Sequence, residues 1–254
     1  MTAIHQLRHQ VNFDLLIFRR NPAASFFTVV LPLLFLVIFT SIFGNEELDS
    51  GAKVATVYVP GILTLAIVSA TTVNLAITMT SRRERGVLKR LRGTPIPPQT
   101  FVLSQCVAGF AISALMTVLI VVIGALVYGV SLNVATLPSL VVTLLLGAGS
   151  MAALGLAMTA VIPSEEAAPA VTNAIMLPLY FVSGVFVPES QVPDWVVDVS
   201  RVFPIYHLNK ALQGSFDPFL EGTTWPLSHW LVLLVWGSFG AVIALRFFRW
   251  VPRR

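Results

Sequence analysis

The sequence predicts an all-α integral membrane protein with six transmembrane helices. Hydrophobic residues make up 56% of its 254 residues and charged residues 11%, whereas charged residues make up about 25% of a soluble domain. Six segments are apolar over the roughly 20 residues that one crossing of a bilayer requires, and they leave little room for a soluble domain. The predicted spans, within a single transmembrane domain covering 1–254, are residues 23–43, 54–80, 101–128, 138–162, 167–187 and 227–248.

Residues 1–22 precede the first span and have the pattern of an amphipathic helix. Apolar residues recur at intervals of three or four, at Ile4, Leu7, Val11, Leu15 and Phe18. This spacing places them on one face of a helix, and polar residues fill most of the remainder. We expect this N-terminal helix to lie in the membrane interface; an ordinary cytoplasmic helix is the alternative.

The loop between the second and third spans, residues 81–100, is the most basic part of the chain. Six of the sixteen Lys and Arg residues lie between Arg82 and Arg92. Cytoplasmic loops carry an excess of such residues in membrane proteins, so we expect this loop on the cytoplasmic face.

The other basic residues predict the orientation of the chain. With six spans both termini lie on one side, which collects three Lys or Arg residues before the first span, six in the loop and four in the tail. The opposite side has three, Lys53, Arg201 and Lys210. This asymmetry predicts a protein of the cell membrane with both termini in the cytoplasm. Topology and anionic lipid headgroups explain the basic clusters, so no nucleic-acid partner is expected.

A short coupling helix is predicted within the basic loop, from Gly86 to Arg92. Its apolar residues fall at helical spacing, at Val87, Leu88 and Leu91. Gly93 and Pro95 then end the helix. Such a helix, held rigidly at the membrane surface, is a contact point through which another protein could displace the membrane helices. We expect its apolar side chains to dock into a groove of that partner.

Residues 188–226, between the fifth and sixth spans, are too polar to span a membrane but contain two short helix patterns. Pro193 can begin the first helix and Pro204 the second, because proline suits the first helical position, where its missing N–H would be unpaired anyway. Gly214 ends the second helix. These are predicted to be outer re-entrant helices that dip into the outer leaflet or lie on it.

The fourth span is rich in small residues, which let helices approach closely in lipid. They are Gly147, Ala148, Gly149, Ser150, Ala152, Ala153 and Gly155. We interpret them as packing contacts within one subunit rather than as a functional site.

Polar residues in the second and fifth spans have two possible roles. In the second span they are Thr71, Asn74 and Thr78, and in the fifth span the corresponding face carries Asn173, Met176 and Tyr180, with Phe181 beside it. Such residues hydrogen-bond between helices of one subunit. Alternatively they line a path for an amphiphilic compound, to which Met and aromatic side chains offer adaptable contacts.

Several kinds of site are not expected from this sequence. Cys106 is the one cysteine, which excludes an internal disulfide, and the four histidines form no dense cluster for a metal ion. A Gly-x-x-x-x-Gly-Lys-Ser/Thr phosphate loop is absent, so energy must come from another chain. The acidic residues lie in loops or near span ends, which argues against proton-coupled transport.

Two stretches resemble the permease subunits of type-2 ABC exporters, and the resemblance covers nearly the whole chain. The first is RERGVLKRLRGTP, from Arg83 to Pro95, which is similar to the family's cytoplasmic coupling loop. The second is PLYFVSGVFVP, from Pro178 to Pro188, followed by VPDW and then by FPIYHL, which starts at Phe203. The spacing of these two stretches also fits the family.

The resemblance implies a role for each stretch. The ATPase contact would comprise Glu84, Arg85, Gly86, Val87, Leu88, Arg90, Leu91, Thr94 and Pro95. Spans two and five would line a central path. An outer lid would comprise Ser183, Gly184, Pro188, Pro193, Trp195, Pro204 and Tyr206. Val87 stands where the family often has Thr, and Lys89 where many members have Glu, which points to a subgroup with a basic coupling helix.

The resemblance also implies partners and an activity. Two copies of a separate ABC ATP-binding subunit would drive two permeases, the second being an identical or homologous chain in the lipid bilayer. ATP and Mg would be bound by the partner, with no cofactor and no catalytic residue in this chain. The implied activity is export of a hydrophobic or amphiphilic substrate, such as a drug, an antibiotic or a lipid. Export of a polysaccharide or glycolipid precursor, or a sensor that does not transport, are the alternatives.

Overall fold

The structure is a computed structural model that describes residues 3–43, 54–91, 93, 97–130, 132–187, 189–216, 225–248 and 250–251. Regular structure in these ranges is helical throughout, which confirms the predicted all-α class. The α-helices are α1 (Ala3–Arg20), α2 (Pro22–Ser25), α3 (Leu31–Phe43), α4 (Val54–Val68), α5 (Asn74–Glu84), α6 (Val87–Leu91), α7 (Pro98–Tyr128), α8 (Leu137–Met158), α9 (Ala167–Val182), α10 (Asp194–Ser200), α11 (Pro204–Phe216) and α12 (Leu227–Phe247).

Five helices in the described ranges are long and apolar enough to cross a membrane. They are Pro22–Ile42, Tyr58–Glu84, Gln99–Tyr128, Val134–Met158 and Leu227–Phe247. The protein is therefore a multi-pass membrane protein. Two of these helices contain a π-helical turn, Phe26–Val30 between α2 and α3 and Ser69–Val73 between α4 and α5.

The predicted fifth span, residues 167–187, forms a shorter helix. α9 has 16 residues and ends at Val182, because Gly184 has a φ of +71° and the Val185 N–H donates to the Tyr180 carbonyl, 3.2 Å away. A left-handed glycine just past the last turn ends many helices in this way. The chain turns back here, five residues before the predicted end.

The helix formed by α4 and α5 lies at the centre of the bundle. It packs against α3, α7, α8, α9 and α11, and most of its residues are buried. The second span was predicted to end at residue 80, but the helix continues to Glu84. Arg82 and Arg83 therefore belong to the central helix and not to a loop.

Small residues of α8 lie where other helices approach it most closely. A Cβ added at Gly155 would lie 2.7 Å from the Thr72 carbonyl oxygen, and one added at Gly240 of α12 would lie 2.9 Å from the Leu154 nitrogen. The Thr72 hydroxyl also donates to the Met151 carbonyl, at 2.8 Å. Gly155 thus serves packing within the chain, as the sequence predicted for the small residues of this span, whereas a Cβ added at Gly149 meets nothing within 4 Å.

The two outer helices lie in different surroundings. α10 follows Pro193 and presents Trp195, which is 69% exposed. α11 begins at Pro204, runs two residues past the predicted end at Gly214, and packs inside the bundle against α4, α8 and α12. Leu208 is fully buried. The second outer helix is therefore part of the core and does not lie on its surface.

The packing of α8 can be tested with a pair of glycines on that helix. Gly155→Ala is expected to lower the free energy of unfolding by about 1–3 kcal/mol, because the added methyl group overpacks the contact with Thr72. At Gly149 an added Cβ meets nothing within 4 Å, so Gly149→Ala is expected to leave the stability unchanged or raise it. Denaturation of the purified variants by SDS would measure the difference, and equal stability of the two would contradict this packing.

Candidate coupling site and transport path

The coupling helix follows the central helix after one tight turn. Gly86, with a φ of +69°, lies between α5 and α6; this left-handed conformation is costly for other residues. α6 covers Val87–Leu91, close to the predicted bounds. Of the predicted contact residues, Thr94 and Pro95 lie outside the described residues. Three arginines around this turn, Arg82, Arg83 and Arg85, each contact another part of the bundle.

Arg83 is buried and binds the turn that follows α8. Its side chain is 1% exposed, and its two terminal nitrogens donate to the carbonyls of Thr159, at 2.8 Å, and Ile162, at 2.9 Å. Nε donates to a carboxylate oxygen of Glu84 at 2.8 Å. Thr159 is the residue directly after α8, and a cation is favoured near this end of a helix. Arg83 therefore satisfies two carbonyls of the turn after α8 and fixes that turn to α5.

The turn between α8 and α9 is bound to the same helix end through Glu165. Its carboxylate accepts hydrogen bonds from the Ser81 hydroxyl, at 2.9 Å, and from Arg85 Nε, at 3.0 Å. The hydrogen bond from Arg85 lowers the pKa of Glu165 below its ordinary value, so this carboxylate stays charged at neutral pH. The α8–α9 turn is thus bound to residues that directly precede the coupling helix.

Arg82 connects the central helix to the N-terminal helix. It lies 2.9 Å from Asp14 of α1, and the Ser104 hydroxyl of α7 donates to the other oxygen of Asp14 at 2.8 Å. The Asp14 side chain is 3% exposed. The guanidinium also lies over the Phe101 ring, 5.2 Å from its centroid. The amphipathic helix therefore packs on α7 and α5, and Ile4 near its start stays 79% exposed.

The outward surface of the coupling helix is cationic. Leu88 is fully buried in a cluster with Leu75, Met79 and Phe101, and Leu91 packs against that cluster. Leu88 thus contacts its own bundle, and in this structure its side chain is not available to a partner; the docking of α6 on a partner stays a prediction. The apolar side of α6 covers the apolar ends of α5 and α7. Three exposed side chains remain, and we call them the cationic face: Arg85, Lys89 and Arg90.

The predicted path residues of the central helix face α1 and α7. Thr71 is 1% exposed, and its hydroxyl donates to the Ile67 carbonyl at 2.6 Å. The Thr78 hydroxyl donates to the Asn74 side-chain oxygen at 3.3 Å. Asn74 and Thr78 line a cavity of about 40 Å³ that they share with Gln105 of α7. They are therefore not brought together with the predicted residues of α9.

The predicted stripe on α9 is covered near the C-terminal end of the helix. Asn173 and Tyr180 are seven residues apart and share one side of the helix, but Asn173 is exposed whereas Tyr180 is 3% exposed. The turn at Gly184 folds the chain back, so the Phe186 ring lies 5.9 Å from the Tyr180 ring and 5.1 Å from that of Phe181. Met176 is buried on the adjacent side of α9.

Asn209 holds the turn of the predicted outer lid in place. Its side-chain nitrogen donates to the carbonyls of Ser183, at 3.1 Å, and Gly184, at 2.9 Å. Because Asn209 lies on α11, the turn after α9 is bound to the buried outer helix. Tyr206 at the start of α11 is buried; Pro188 lies outside the described residues.

A histidine pair connects α11 to α12 near the lid. His207 Nδ1 and His229 Nδ1 are 2.8 Å apart, and His207 Nε2 lies 2.7 Å from the Arg201 carbonyl. A carbonyl oxygen accepts hydrogen bonds, so Nε2 of His207 carries a hydrogen, and one proton lies between the two Nδ1 atoms. Within the described ranges, no group of three or more His, Cys, Asp or Glu residues could hold a metal ion.

Sequence reasoning missed Arg83 and Glu165, although a signal for Arg83 was present. The buried side of the central helix continues through Ala76, Met79 and Thr80, and Arg83 follows at the same helical spacing. Extending the predicted span by one turn would have placed Arg83 on that side. Glu165 gave no such signal, because its partners are distant in the sequence.

Comparisons with known proteins agree with this architecture. A family model described as "ABC-2 type transporter" matches residues 5–216. The daunorubicin resistance ABC transporter permease protein DrrB1 of Streptomyces coeruleorubidus is 28% identical over 89% of this chain and 79% of its own length. The proposed transport permease YvfS of Bacillus subtilis (strain 168) is 23% identical over 76% of this chain and 78% of its own. The proposed transport permease ycf38 of Porphyra purpurea is 25% identical over 90% and 79%, respectively.

The role of Arg83 can be tested against an exposed arginine of the same region. Arg83→Leu is expected to lower the free energy of unfolding by about 1–3 kcal/mol or more, because the Thr159 and Ile162 carbonyls lose their buried donor. Arg90→Leu removes an exposed cation and is expected to change it by less than about 0.5 kcal/mol. Denaturation of the purified variants by SDS would measure both, and similar losses would show that Arg83 does not hold α8.

Proposed function

The chain belongs to the ABC-2 type transporter family, and we propose that it is the membrane subunit of an ATP-driven exporter whose energy comes from a separate ATP-binding subunit. Membership of this family makes it a transport permease. The family is one of transmembrane subunits that associate with an ATP-binding partner. Two observations support the proposal: the cationic face of α6, and the contacts that Arg82, Arg83 and Arg85 make beside this helix.

The arginine contacts support a role for α6 as the point where force enters the bundle. Arg82 binds α1, and Arg83 and Arg85 both bind the turn between α8 and α9. The side chain of Arg83 is buried and that of Arg82 is mostly buried, and a buried guanidinium allows little relative movement of the groups it joins, because breaking its contacts leaves an unpaired buried charge. A displacement of α6 would therefore move the ends of α5, α8 and α9 together.

The contact with the ATPase would be chiefly electrostatic. Because Leu88 is buried in its own chain, the partner meets Arg85, Lys89 and Arg90. The ATP-binding subunit would then present acidic residues to this surface. Exposed charge pairs are screened by salt, so association of the two subunits would weaken as the ionic strength rises.

We propose that α9 supplies a sixth crossing. Its 16 residues rise about 24 Å at 1.5 Å per residue, and the turn that follows would complete a hydrocarbon core of about 30 Å. An even number of crossings places both termini on the side of the basic loop. That side would be the cytoplasm, since cytoplasmic loops carry the excess of Lys and Arg.

A two-fold dimer would place the exposed side of α9 at a shared path. Asn173, Leu177 and Phe181 are all exposed in the single chain, and a second copy could cover them. Such a path suits an amphiphilic compound, because it combines an amide with apolar side chains. The relative named for daunorubicin resistance favours a drug-like substrate. Export of a glycolipid or polysaccharide precursor, and sensing without transport, are the alternatives.

The cationic face can be tested by reversing its charge. The double variant Lys89→Glu and Arg90→Glu is expected to lower ATP-dependent export at least about tenfold, because like charges at a subunit contact repel, with a cost of several kcal/mol. Export of a labelled drug from cells that express the chain with its ATPase would be measured. Insertion should be normal, because both side chains are exposed.

Two controls accompany this experiment. Arg201→Glu reverses an exposed charge just after α10 and should leave export unchanged. Leu88→Asp buries a carboxylate in an apolar cluster and should reduce the amount of folded chain, which the double variant should not do. Normal export by the double variant would refute electrostatic docking, and absence of export by the unaltered chain would favour a sensor.

The path can be tested by thiol labelling after replacement of Cys106 with serine. A bulky maleimide on Asn173→Cys is expected to block drug-stimulated ATPase activity, and the drug should slow the labelling. Asn74→Cys should react slowly, because the cavity beside it, at about 40 Å³, has room for one or two water molecules and not for a label. Val235→Cys, at an exposed position of α12, should react without effect. Equal inhibition at Asn173 and Val235 would contradict a path along α9.

A further inference from the structure

An apolar groove runs between α7, α8 and α12, apart from the predicted path. Its volume is about 530 Å³, and its walls include Leu103, Cys106, Leu156, Leu245 and Trp250. We propose that this groove binds one acyl chain of an anionic phospholipid, whose phosphate contacts the cationic residues at the groove's end. The proposal does not depend on which substrate the protein moves.

The walls of the groove favour a hydrocarbon ligand. The lining residues come mainly from three helices that are long and apolar enough to cross a membrane. Gly149 lies in the wall, and a Cβ added there meets nothing within 4 Å, so the space beside it is not filled by the chain. Side chains that line an unfilled apolar space lose dispersion contacts. In a bilayer, the acyl chains of lipids are the molecules that can fill this space.

The position of the coupling helix places positive charge at one end of the groove. Val102, Phe248 and Trp250 line the groove and also pack against the cluster that contains Leu88 and Leu91 of α6. α6 thus lies at the same end as Phe248 and Trp250. Lys89 and Arg90 are exposed on it.

In the chain without its ATP-binding subunit, these cations are available to an anionic headgroup. In the described part of the chain, Arg82, Arg83 and Arg85 each have a carboxylate partner, whereas Lys89 and Arg90 have none. Clusters of Lys and Arg beside a membrane attract anionic lipids, and aromatic residues favour the level of the headgroups.

A second groove provides an internal comparison. It lies between α8, α9 and α12, has a volume of about 560 Å³, and is lined by Val161, Ile175 and Trp236 among others. The turn that follows Val161 contains Glu165 and the exposed Glu166. It is similar in size and apolar character but lies beside carboxylates, so we expect no preference for anionic lipid there.

Lipid binding to the full-length purified chain can be measured by native mass spectrometry. Dioleoyl phosphatidylglycerol or dioleoyl phosphatidylcholine would be titrated into the detergent-solubilised protein. We expect one site that binds phosphatidylglycerol at least about fivefold more tightly, since about 1 kcal/mol per cation corresponds to that ratio. Replacing Lys89 and Arg90 with Gln should abolish the preference and leave weak binding of both lipids.

Groove-filling variants locate the site. Gly149→Leu, and Leu103→Trp at the exposed rim as a second variant, should abolish the tight phosphatidylglycerol site. Ile175→Trp fills the second groove and should keep it. Equal affinity of the two lipids for the unaltered chain would overturn the headgroup contact. Retention of the tight site in either folded filling variant, or its loss in Ile175→Trp, would overturn its location.

Discussion

The burial of Arg83 is the constraint on which the end of the structure beside the coupling helix depends. A guanidinium that is 1% exposed is tolerated inside a protein when its donors find acceptors. The carbonyls of Thr159 and Ile162 in the turn after α8 and the carboxylate of Glu84 meet that need. This requirement fixes the length of the central helix, since α5 must continue past the apolar segment to bring Arg83 to α8. The positions of Arg82 and Arg85, and with them the contacts to α1 and Glu165, follow from the same helix.

The use of Leu88 inside the bundle changes what the coupling helix can offer a partner. An amphipathic helix of five residues has one apolar side, and here that side anchors the helix to α5 and α7. Because α6 packs on its own bundle, a movement of α6 is transmitted to the bundle. A helix that contacted only the partner would not transmit it. The remaining surface is cationic, and Lys89 belongs to it. Recognition of the ATPase therefore rests on charge, which gives specificity and a fast association more than affinity.

The sequence predicted the parts of the fold that depend on the chemistry of each residue alone. Hydropathy located five crossings, proline marked the starts of α10 and α11, and glycines marked the close packing of α8. It did not predict which residues cover one another. Asn74 and Tyr180 were both assigned to a path, yet Asn74 lines a small cavity with residues of α1 and α7, and Phe186 covers Tyr180. Which side chains are buried by other helices depends on contacts between segments that are distant in the sequence. The contacts of Arg83 and Glu165 are of the same kind.

The charged contacts at the two ends of the bundle differ in burial, and this difference bears on how the molecule would move. At the basic end, Arg82 of α5 and Asp14 of α1 form a pair whose side chains are 12% and 3% exposed, and removing one partner of a buried pair costs about 3–5 kcal/mol. At the opposite end, Asn209 donates to the Gly184 carbonyl and His207 contacts His229, and neutral hydrogen bonds contribute about 0.5–1.5 kcal/mol each. Lys210 and Glu189 also pair there, but this pair is more exposed, at 27% and 32%, and exposed pairs contribute little. A force applied at α6 would therefore move the basic end as one unit, and the structure would yield first where these weaker contacts close the other end.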